Sequence, residues 1–241
     1  MPKSKRTVPD MSNLTIEASA PVGQIARFFP SAIAVFEAMD IEFACKGGRS
    51  LADAADAVGA DLGELLAALR SVANEGHSME TSVADLIHTI VTDHHRIEAD
   101  MIQDIEARLA KASGGGDVAR IRRIFVRLAA AIRMHMLREE RELFPRIEEL
   151  DLHPHRIRAG SISRPLLVEF VEHDIVHERL IKLRELTLRL RGVIDAAAVE
   201  ALEHFDVLTH RHIHLENNVL IPRVIDLENR LKLTRRENAA V

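Results

Sequence analysis

Two segments of the chain place a histidine and a glutamate one helical turn apart. Residues 135–146 read HMLREERELFPR, and residues 212–223 read HIHLENNVLIPR. In each segment the Glu comes four residues after the His, and an apolar run with a Pro-Arg pair follows. Because residues four apart lie on one face of a helix, each segment presents an imidazole and a carboxylate together. Imidazole and carboxylate groups are common ligands of iron and manganese in proteins.

Each of these two segments has a further histidine upstream at a matched distance. His95 precedes His135 by nearly the same number of residues as His173 precedes His212. Two copies of one unit would bring four His and two Glu to one level of a helical core, which suits a dinuclear metal site. Spacing alone permits either His94 or His95 as the first ligand. The predicted ligand set is His95, His135, Glu139, His173, His212 and Glu216.

The carboxylates of both repeats fall in otherwise apolar helix stripes. The stripe through Glu139 also holds Leu128, Ile132, Leu143 and Ile147, and the stripe through Glu216 holds Phe205, Leu208, Leu220 and Val224. A buried carboxylate that lacks its partner costs about 3–5 kcal/mol, and neither stripe contains Arg or Lys. A pair of metal ions would supply the missing positive charge. The competing interpretation is that these are ordinary His–Glu pairs, either hydrogen-bonded in the core or solvated at the surface. It would suffice for a single motif, but it does not explain why two matched motifs occur.

The pattern of apolar residues predicts an all-α protein whose larger domain covers residues 82–231. Steps of three, four and seven residues between apolar positions indicate long helices. Mostly short connections imply antiparallel neighbours, and so an up-down-up-down four-helix bundle. The long connection is 151–163, and the predicted helices cover 82–112, 117–150, 164–191 and 195–231.

A small helical N-terminal domain is predicted over residues 15–75. Three side chains are expected to cap its helices at their N-termini: Ser31, Ser50 and Asp61. Residues 43–50 are predicted to form a turn, in which Gly47–Gly48 allows positive φ. Residues 1–14 are expected to be loose, and residues 76–81 are the predicted linker to the bundle.

Composition narrows the class of protein. The chain has 241 residues, 47% of them hydrophobic, and the absence of Trp and Tyr favours a helical core of aliphatic residues. A net charge of −5 with mixed signs gives no reason to expect nucleic acid or a membrane as partner. Without an apolar stretch of signal-peptide or membrane-spanning length, we expect a soluble cytoplasmic protein. The single cysteine, Cys45, excludes an internal disulfide.

These residues carry a resemblance to a known family. IVTDHHR, HMLREERELFP, VEHD and HLENNVLIPR resemble the hemerythrin-like domain of the di-iron iron–sulfur cluster repair proteins, also called repair-of-iron-centres proteins. FFPSAIAVFEAMDIEFACKGGRSLADAA resembles the short N-terminal domain of that family, so the likeness covers roughly residues 16–228. It implies two iron ions with oxo and carboxylate bridges, held by the six predicted ligands, with His95 matching the second His of the family's pair. The ligand types do not exclude manganese.

The resemblance also implies a function. The family is associated with nitrosative and oxidative stress and with repair of damaged iron–sulfur clusters, possible routes being iron donation or nitric oxide reduction. Damaged iron–sulfur proteins, nitric oxide and oxygen are therefore the expected partners. The alternatives are a hemerythrin-like carrier or sensor of oxygen or nitric oxide, and an iron-storage bundle without turnover. The oligomeric state stays open, and a dimer is compatible with the sequence.

The sequence departs from the family at the N-terminal cysteine motif. Where the family has Cys-Cys-Gly-Gly, this chain has Ala44-Cys45-Lys46-Gly47-Gly48. A single thiol cannot form a vicinal disulfide or chelate iron as a dithiol. Lys46 could lower the pKa of the thiol, which makes Cys45 a candidate reactive thiol. The alternative is a small apolar residue in a turn.

Overall fold

The computed structural model describes residues 15–72, 81–158 and 160–238. Throughout these ranges the regular secondary structure is helical, without a β-strand, so the predicted all-α class is confirmed. The chain divides into two compact units, Met1–Met79 and Glu80–Val241. The predicted loose segment 1–14 and all of the predicted linker 76–81 except Thr81 lie outside the described residues. No helix in the described ranges has the length and apolarity required to cross a membrane.

Residues 15–72 of the N-terminal unit contain four short helices around a small apolar core. They are α1 (Val22–Phe28), α2 (Ala32–Ala38), α3 (Leu51–Val58) and α4 (Leu62–Val72). Each contributes apolar side chains that are removed from solvent, among them Ile25, Phe36, Leu51, Leu65 and Leu69. Burial of these faces is the main force that holds such short helices, because isolated helices of this length are unstable in water.

Two of the three predicted helix caps are confirmed. The Ser50 hydroxyl accepts a hydrogen bond from the Asp53 amide at 3.1 Å, and Oδ1 of Asp61 accepts from the Glu64 amide at 2.8 Å. The prediction for Ser31 is wrong, since its hydroxyl donates to the Val72 carbonyl at 2.9 Å instead. Ser31 already has helical φ and ψ, whereas a capping residue needs an extended backbone to aim its side chain at the free amides.

The turn between α2 and α3 is held by a carboxylate rather than by glycine geometry. Oε1 of Glu42 accepts hydrogen bonds from the amides of Ala44 and Cys45, both at 2.8 Å. The predicted turn is present, and neither Gly47 nor Gly48 uses the positive φ that glycine allows. Cys45 is half-buried in this turn. Its proposed reactivity, and the influence of Lys46 on it, stay predictions.

Four long helices form the second unit, and three of them contain a π-helical turn. The first helix runs through α5 (Val83–Thr89), a π turn (Ile90–His95) and α6 (Arg96–Lys111). The second runs through α7 (Gly116–Arg138), a π turn (Glu139–Leu143) and α8 (Phe144–Leu152). The third is α9 (Ser163–Leu190), and the fourth runs through α10 (Ala196–His214), a π turn (Leu215–Leu220) and α11 (Ile221–Asn238). The predicted bounds differ from these by one or two residues, except that the fourth helix continues past residue 231.

Side-chain pairs between the helices show that neighbours run in opposite directions. Arg122 and Arg133 of the second helix bind Leu109 and Glu106 of the first. Residue numbers rise along one helix while they fall along its neighbour, so the two helices are antiparallel. The other neighbours follow the same order, through the pairs Arg179–Arg127 and Arg138–Glu169, Arg191–Glu203 and Arg184–Asp206, Arg108–Asp195 and His212–Glu98. Each helix packs on the next and the fourth packs on the first. This is the predicted up-down-up-down bundle.

The π turns coincide with predicted ligands. His95, Glu139 and Glu216 each lie in one of the three turns. Turns of this kind are uncommon and occur frequently at functional sites. Pro145 and Pro222 follow two of them closely, and a widened turn suits a residue that lacks the amide of a regular helix. The irregular turn of the fourth helix lies before Pro222 and contains Glu216.

Candidate metal centre

The four predicted histidine ligands meet in two pairs inside the bundle. Nε2 of His95 lies 3.2 Å from Nε2 of His212, and these residues are called the first pair below. Nε2 of His173 lies 3.1 Å from Nε2 of His135, and these form the second pair. All four side chains are buried. The first pair joins the first and fourth helices, and the second pair joins the second and third helices. No single helix supplies both members of a pair.

Each of the two predicted carboxylates reaches one histidine of each pair. Oε1 of Glu216 lies 3.1 Å from Nε2 of His212, and its Oε2 lies 3.0 Å from Nε2 of His173. Oε2 of Glu139 lies 3.4 Å from Nε2 of His95 and 3.3 Å from Nε2 of His135. Both carboxylates are therefore placed between the pairs, where each could bridge two ions.

The structure distinguishes His95 from its neighbour His94. His95 takes part in the first pair, while the His94 ring stacks on His212 at a centroid distance of 5.6 Å. Burial, followed by the nearby His212, lowers the pKa of His94 to about 4. His94 thus packs as a neutral ring against a candidate ligand, and its Nε2 is not part of the cluster.

Every histidine of the two pairs has a hydrogen-bond partner on its outer nitrogen, Nδ1. Asn217 Oδ1 lies 2.8 Å from Nδ1 of His173, and the others have carboxylate partners. These are Glu140 with His95 at 2.7 Å, Glu98 with His212 at 3.0 Å and Glu172 with His135 at 3.0 Å. Oε2 of Glu169 lies 3.1 Å from the same His135 nitrogen as an ion-pair contact. An ionised carboxylate only accepts, so Nδ1 carries the proton and Nε2 keeps a free lone pair.

This proton arrangement makes the centre fit a pair of cations. Four Nε2 lone pairs and two carboxylates face one another in a buried space, which is repulsive unless positive charge lies between them. Oε2 of Glu139 and Oε2 of Glu216 are buried and make no hydrogen bond with the described residues. Oxygen and nitrogen donors of this kind suit iron or manganese.

Protons fill the same role when no cation is bound. Burial lowers the pKa of His135, but Glu139 and the outer carboxylates outweigh it and raise that pKa well above 6.5. For His212, Glu216 and Glu98 likewise outweigh burial and raise the pKa. Burial, together with the charge of Glu216, raises the pKa of Glu139 to about 7. An arriving metal ion must therefore displace protons from the centre.

Sequence reasoning missed the outer partners Glu98, Glu140, Glu169, Glu172 and Asn217. One spacing signal was available, because Glu169 lies four residues before His173 and so shares its helix face. Another was the register of the repeats, in which Glu140 and Asn217 each follow the candidate bridging Glu directly. The remaining partners reach across to another helix, and only the packing of the bundle brings them to their histidines.

Three histidines near the ligands have contacts of their own. Nδ1 of His210 lies 2.8 Å from the Asp206 carbonyl oxygen, and Nδ1 of His214 lies 3.2 Å from Nδ2 of Asn218. Both rings are buried and lie outside the metal-binding cluster. Nδ1 of His177 lies 3.4 Å from Nε2 of His210, which places it beside this second group of histidines.

Comparison with known families assigns the larger unit. The family described as the hemerythrin HHE cation-binding domain matches residues 85–224, more than half of the chain. The chain belongs to this family. Its hemerythrin domain is accordingly a metal-binding domain, typically for iron, and all six candidate ligands lie within the matched range. Residues 18–73 match a second family, the ScdA N-terminal domain, whose function is unknown.

Relatives of similar length match most of this chain. One is the iron-sulfur cluster repair protein YtfE of Yersinia pseudotuberculosis serotype O:1b (strain IP 31758), which is 28% identical over 218 residues. Another is the protein of the same name from Yersinia pestis (strain Pestoides F), also 28% identical. Each alignment covers 85% of this chain and 96% of the relative. The family resemblance inferred from the sequence is confirmed.

Proposed function

We propose that this chain is a non-haem di-iron protein of the nitrosative and oxidative stress response that supports repair of damaged iron–sulfur clusters. The observation that carries the proposal is the pair of buried histidine pairs joined by two carboxylates. One iron would lie at the first pair, His95 and His212, and the other at the second pair, His135 and His173. Glu139 and Glu216 would bridge them.

The donor set leaves room for chemistry at the iron. Each ion would receive two imidazole nitrogens and two carboxylate oxygens, fewer donors than the six that iron commonly accepts. The remaining positions suit a small gas such as nitric oxide or oxygen. Bound iron supplies one-electron redox chemistry there, while the chain's own groups hold the imidazoles by their Nδ1 protons and exclude bulk water.

Iron donation is the route to repair that we favour. The relatives are named for iron–sulfur cluster repair, and this chain covers nearly their whole length. The N-terminal unit has one thiol where the family resemblance leads us to expect two, which removes a dithiol as an iron carrier. Iron held by the bundle itself is then the material available to a damaged client protein. Reduction of nitric oxide is a further activity of the same proposed centre.

The rival function is a hemerythrin-like carrier or sensor of oxygen or nitric oxide. It is favoured by the same open positions, since a carrier needs a site for a gas and no iron transfer. Stopped-flow mixing of the reduced protein with each gas separates the two. Reversible adduct formation without iron loss supports the carrier, whereas iron transfer to an apo-ferredoxin supports repair and consumption of nitric oxide supports a reductase.

Anaerobic reconstitution tests the centre itself. The wild-type chain should bind about two irons, as bundle sites of this type do. His135→Ala and His212→Ala should each lower the iron content, because each removes a donor from a different position. His204→Ala is the matched control, since His204 is exposed on the same helix as His212. Unchanged iron content in folded His135→Ala and His212→Ala proteins would rule out the site.

A further inference from the structure

The outer partners at equivalent positions of the repeat differ in charge. Glu140 follows Glu139 and contacts Nδ1 of His95, in the first pair. Asn217 follows Glu216 and contacts Nδ1 of His173, in the second pair. A carboxylate partner makes an imidazole a stronger donor than a neutral amide does. Because the Glu140 side chain is 43% exposed, solvent screens part of this difference.

The remaining partners increase the difference. Glu98 contacts Nδ1 of His212 and is completely buried, and no Arg or Lys of the described residues pairs with it. Glu169 and Glu172 contact Nδ1 of His135, but Arg138 binds both of them. Its Nη1 donates to Glu172 at 2.5 Å and its Nη2 to Glu169 at 3.1 Å. The guanidinium offsets negative charge behind the second pair, and nothing comparable offsets Glu98.

We propose that the two iron positions are unequal and that the iron at His135 and His173 is the one that exchanges. The first pair has two carboxylate partners, and within the described residues no Arg or Lys pairs with either. The second pair has an amide on one side and, on the other, two carboxylates of which Arg138 offsets one charge. Coulombic attraction therefore holds a dication more tightly at the first pair. This inference rests on the proposed function and names the iron that would be donated.

A pocket adjoins the side of the centre on which the second pair lies. It has a volume of about 320 Å³, and its lining includes Glu169, a neighbour of His135, and Arg138, which binds Glu169. Arg146 and Arg164 also line it, and within the described residues neither makes an ion pair or hydrogen bond. Guanidinium groups of this kind attract anions. An anionic chelator or an acidic client surface would thus be drawn to the wall of the centre that adjoins the second pair.

Timed removal of iron from the full-length protein tests the inference. The protein is loaded anaerobically, its iron content is measured, and an excess of a coloured, sulfonated ferrous chelator is added. Release should occur in two phases of equal amplitude, with rates about 10-fold or more apart, the range that outer partners typically control.

Variants assign the phases to the pairs. Asn217→Asp places a carboxylate behind His173 and should slow the fast phase about 10-fold. Arg138→Gln unmasks Glu169 and Glu172 and should slow the same phase. Glu98→Gln should accelerate the slow phase instead. Structural damage accelerates release, so slowing by two different substitutions cannot be attributed to damage.

Several results would overturn the inference. Two irons that leave at a single rate would refute it and leave the two-iron function intact. Slowing of only the slow phase by Asn217→Asp would reverse the assignment of the exchangeable iron and refute it as well. If the loaded wild-type protein holds about one iron or none before the chelator is added, the proposed function fails and the inference with it.

Discussion

The second and fourth bundle helices carry two versions of one segment that agree in backbone and ligands but differ in their surroundings. Each supplies a His and a Glu to the centre, and each places that Glu in a π turn shortly before a proline. At the adjoining positions the second helix has Arg138 and Glu140, and the fourth has Leu215 and Asn217. The charged groups around the two histidine pairs therefore differ, although their ligands match.

This difference separates two kinds of constraint. The ligand atoms must satisfy the geometry and charge of a metal ion, so both repeats need the same residue types at the same spacing. The outer partners only need to accept the Nδ1 proton, which a carboxylate and an amide both do. They can vary in charge, and so set how strongly each ion is held. The helices of the first and third histidines also differ, since α9 is regular where the first helix has a π turn.

The largest predicted effect is the loss of iron when either bridging carboxylate is removed, and it should be equal in the two repeats. Glu139→Gln and Glu216→Gln each remove a carboxylate that reaches both pairs, so each should lower iron affinity by more than the ~10–100-fold typical of outer partners. Metal analysis after desalting, with circular dichroism as a check of folding, measures this. Glu178→Gln, an exposed residue of α9, is the control. If only one of the two substitutions lowers the iron content, the carboxylates do not act as equivalent bridges.

Exchange of the outer partners should have the next largest effect. Glu140→Asn gives the first pair the same neighbour as the second, so the slow phase of iron release should accelerate by up to about 10-fold. The partial exposure of Glu140 places the effect below that of Glu98→Gln. The same chelator assay measures both. A change confined to the fast phase would show that Glu140 does not act through His95.

The sequence predicted that a His and a Glu of each repeat share one helix face, because this follows from spacing along one helix. His135 with Glu139, and His212 with Glu216, are fixed by the helical period alone. The partners Glu98 and Glu172 could not be found in this way, because each acts on a histidine from another helix. The π turns were also not predicted, and Ser31 failed as a cap because its own backbone is helical. The outer partners, the π turns and the conformation of Ser31 depend on tertiary packing, which the local sequence pattern does not reveal.

A smaller effect is expected from pH. In the metal-free protein the pKa of Glu139 is raised to about 7, and those of His135 and His212 are raised above 6.5. Protons compete with the metal below these values, so iron affinity should rise as the pH increases through about 7. Burial raises the pKa of Glu216, but His212 and the hydrogen bonds of the centre lower it well below 4.5, so Glu216 should not contribute.

Calorimetric titration in buffers of different ionisation enthalpy measures the protons released. More protons should be released at about pH 6 than at about pH 8, and Glu139→Gln should reduce the release. The matched Glu216→Gln variant should leave Glu139 without its repulsive neighbour and so lower the pH at which affinity rises. Proton release that does not depend on pH would contradict the predicted protonation of the metal-free centre.

The smallest effect concerns the ion pair that distinguishes the second pair of histidines. The hydrogen bond from His135, with Arg138 in support, lowers the pKa of Glu172 from 4.5 to about 2 in the folded protein. Because the folded pKa is depressed, the stabilisation is present above 4.5 and is lost as the pH falls towards 2. The part of the stabilisation that comes from the Arg138–Glu172 pair should be less than about 1 kcal/mol near neutral pH, since both partners are partly exposed, and Arg138→Gln should remove it.

Urea denaturation at a series of pH values compares the two proteins. The difference between wild type and Arg138→Gln should shrink as the pH falls below 4.5. A difference that stays constant across this range would indicate that Arg138 stabilises the bundle by packing instead of by charge. The iron-release effect of the same substitution is independent of this result, because it is read from the fast phase alone.

Mössbauer spectroscopy of the anaerobically loaded protein, with metal analysis of the same sample, is the decisive test of the proposed di-iron centre. We expect about two irons per chain, present as two distinguishable sites in equal amounts. A single iron per chain, or full iron content in a folded double variant His135→Ala/His212→Ala, would contradict it.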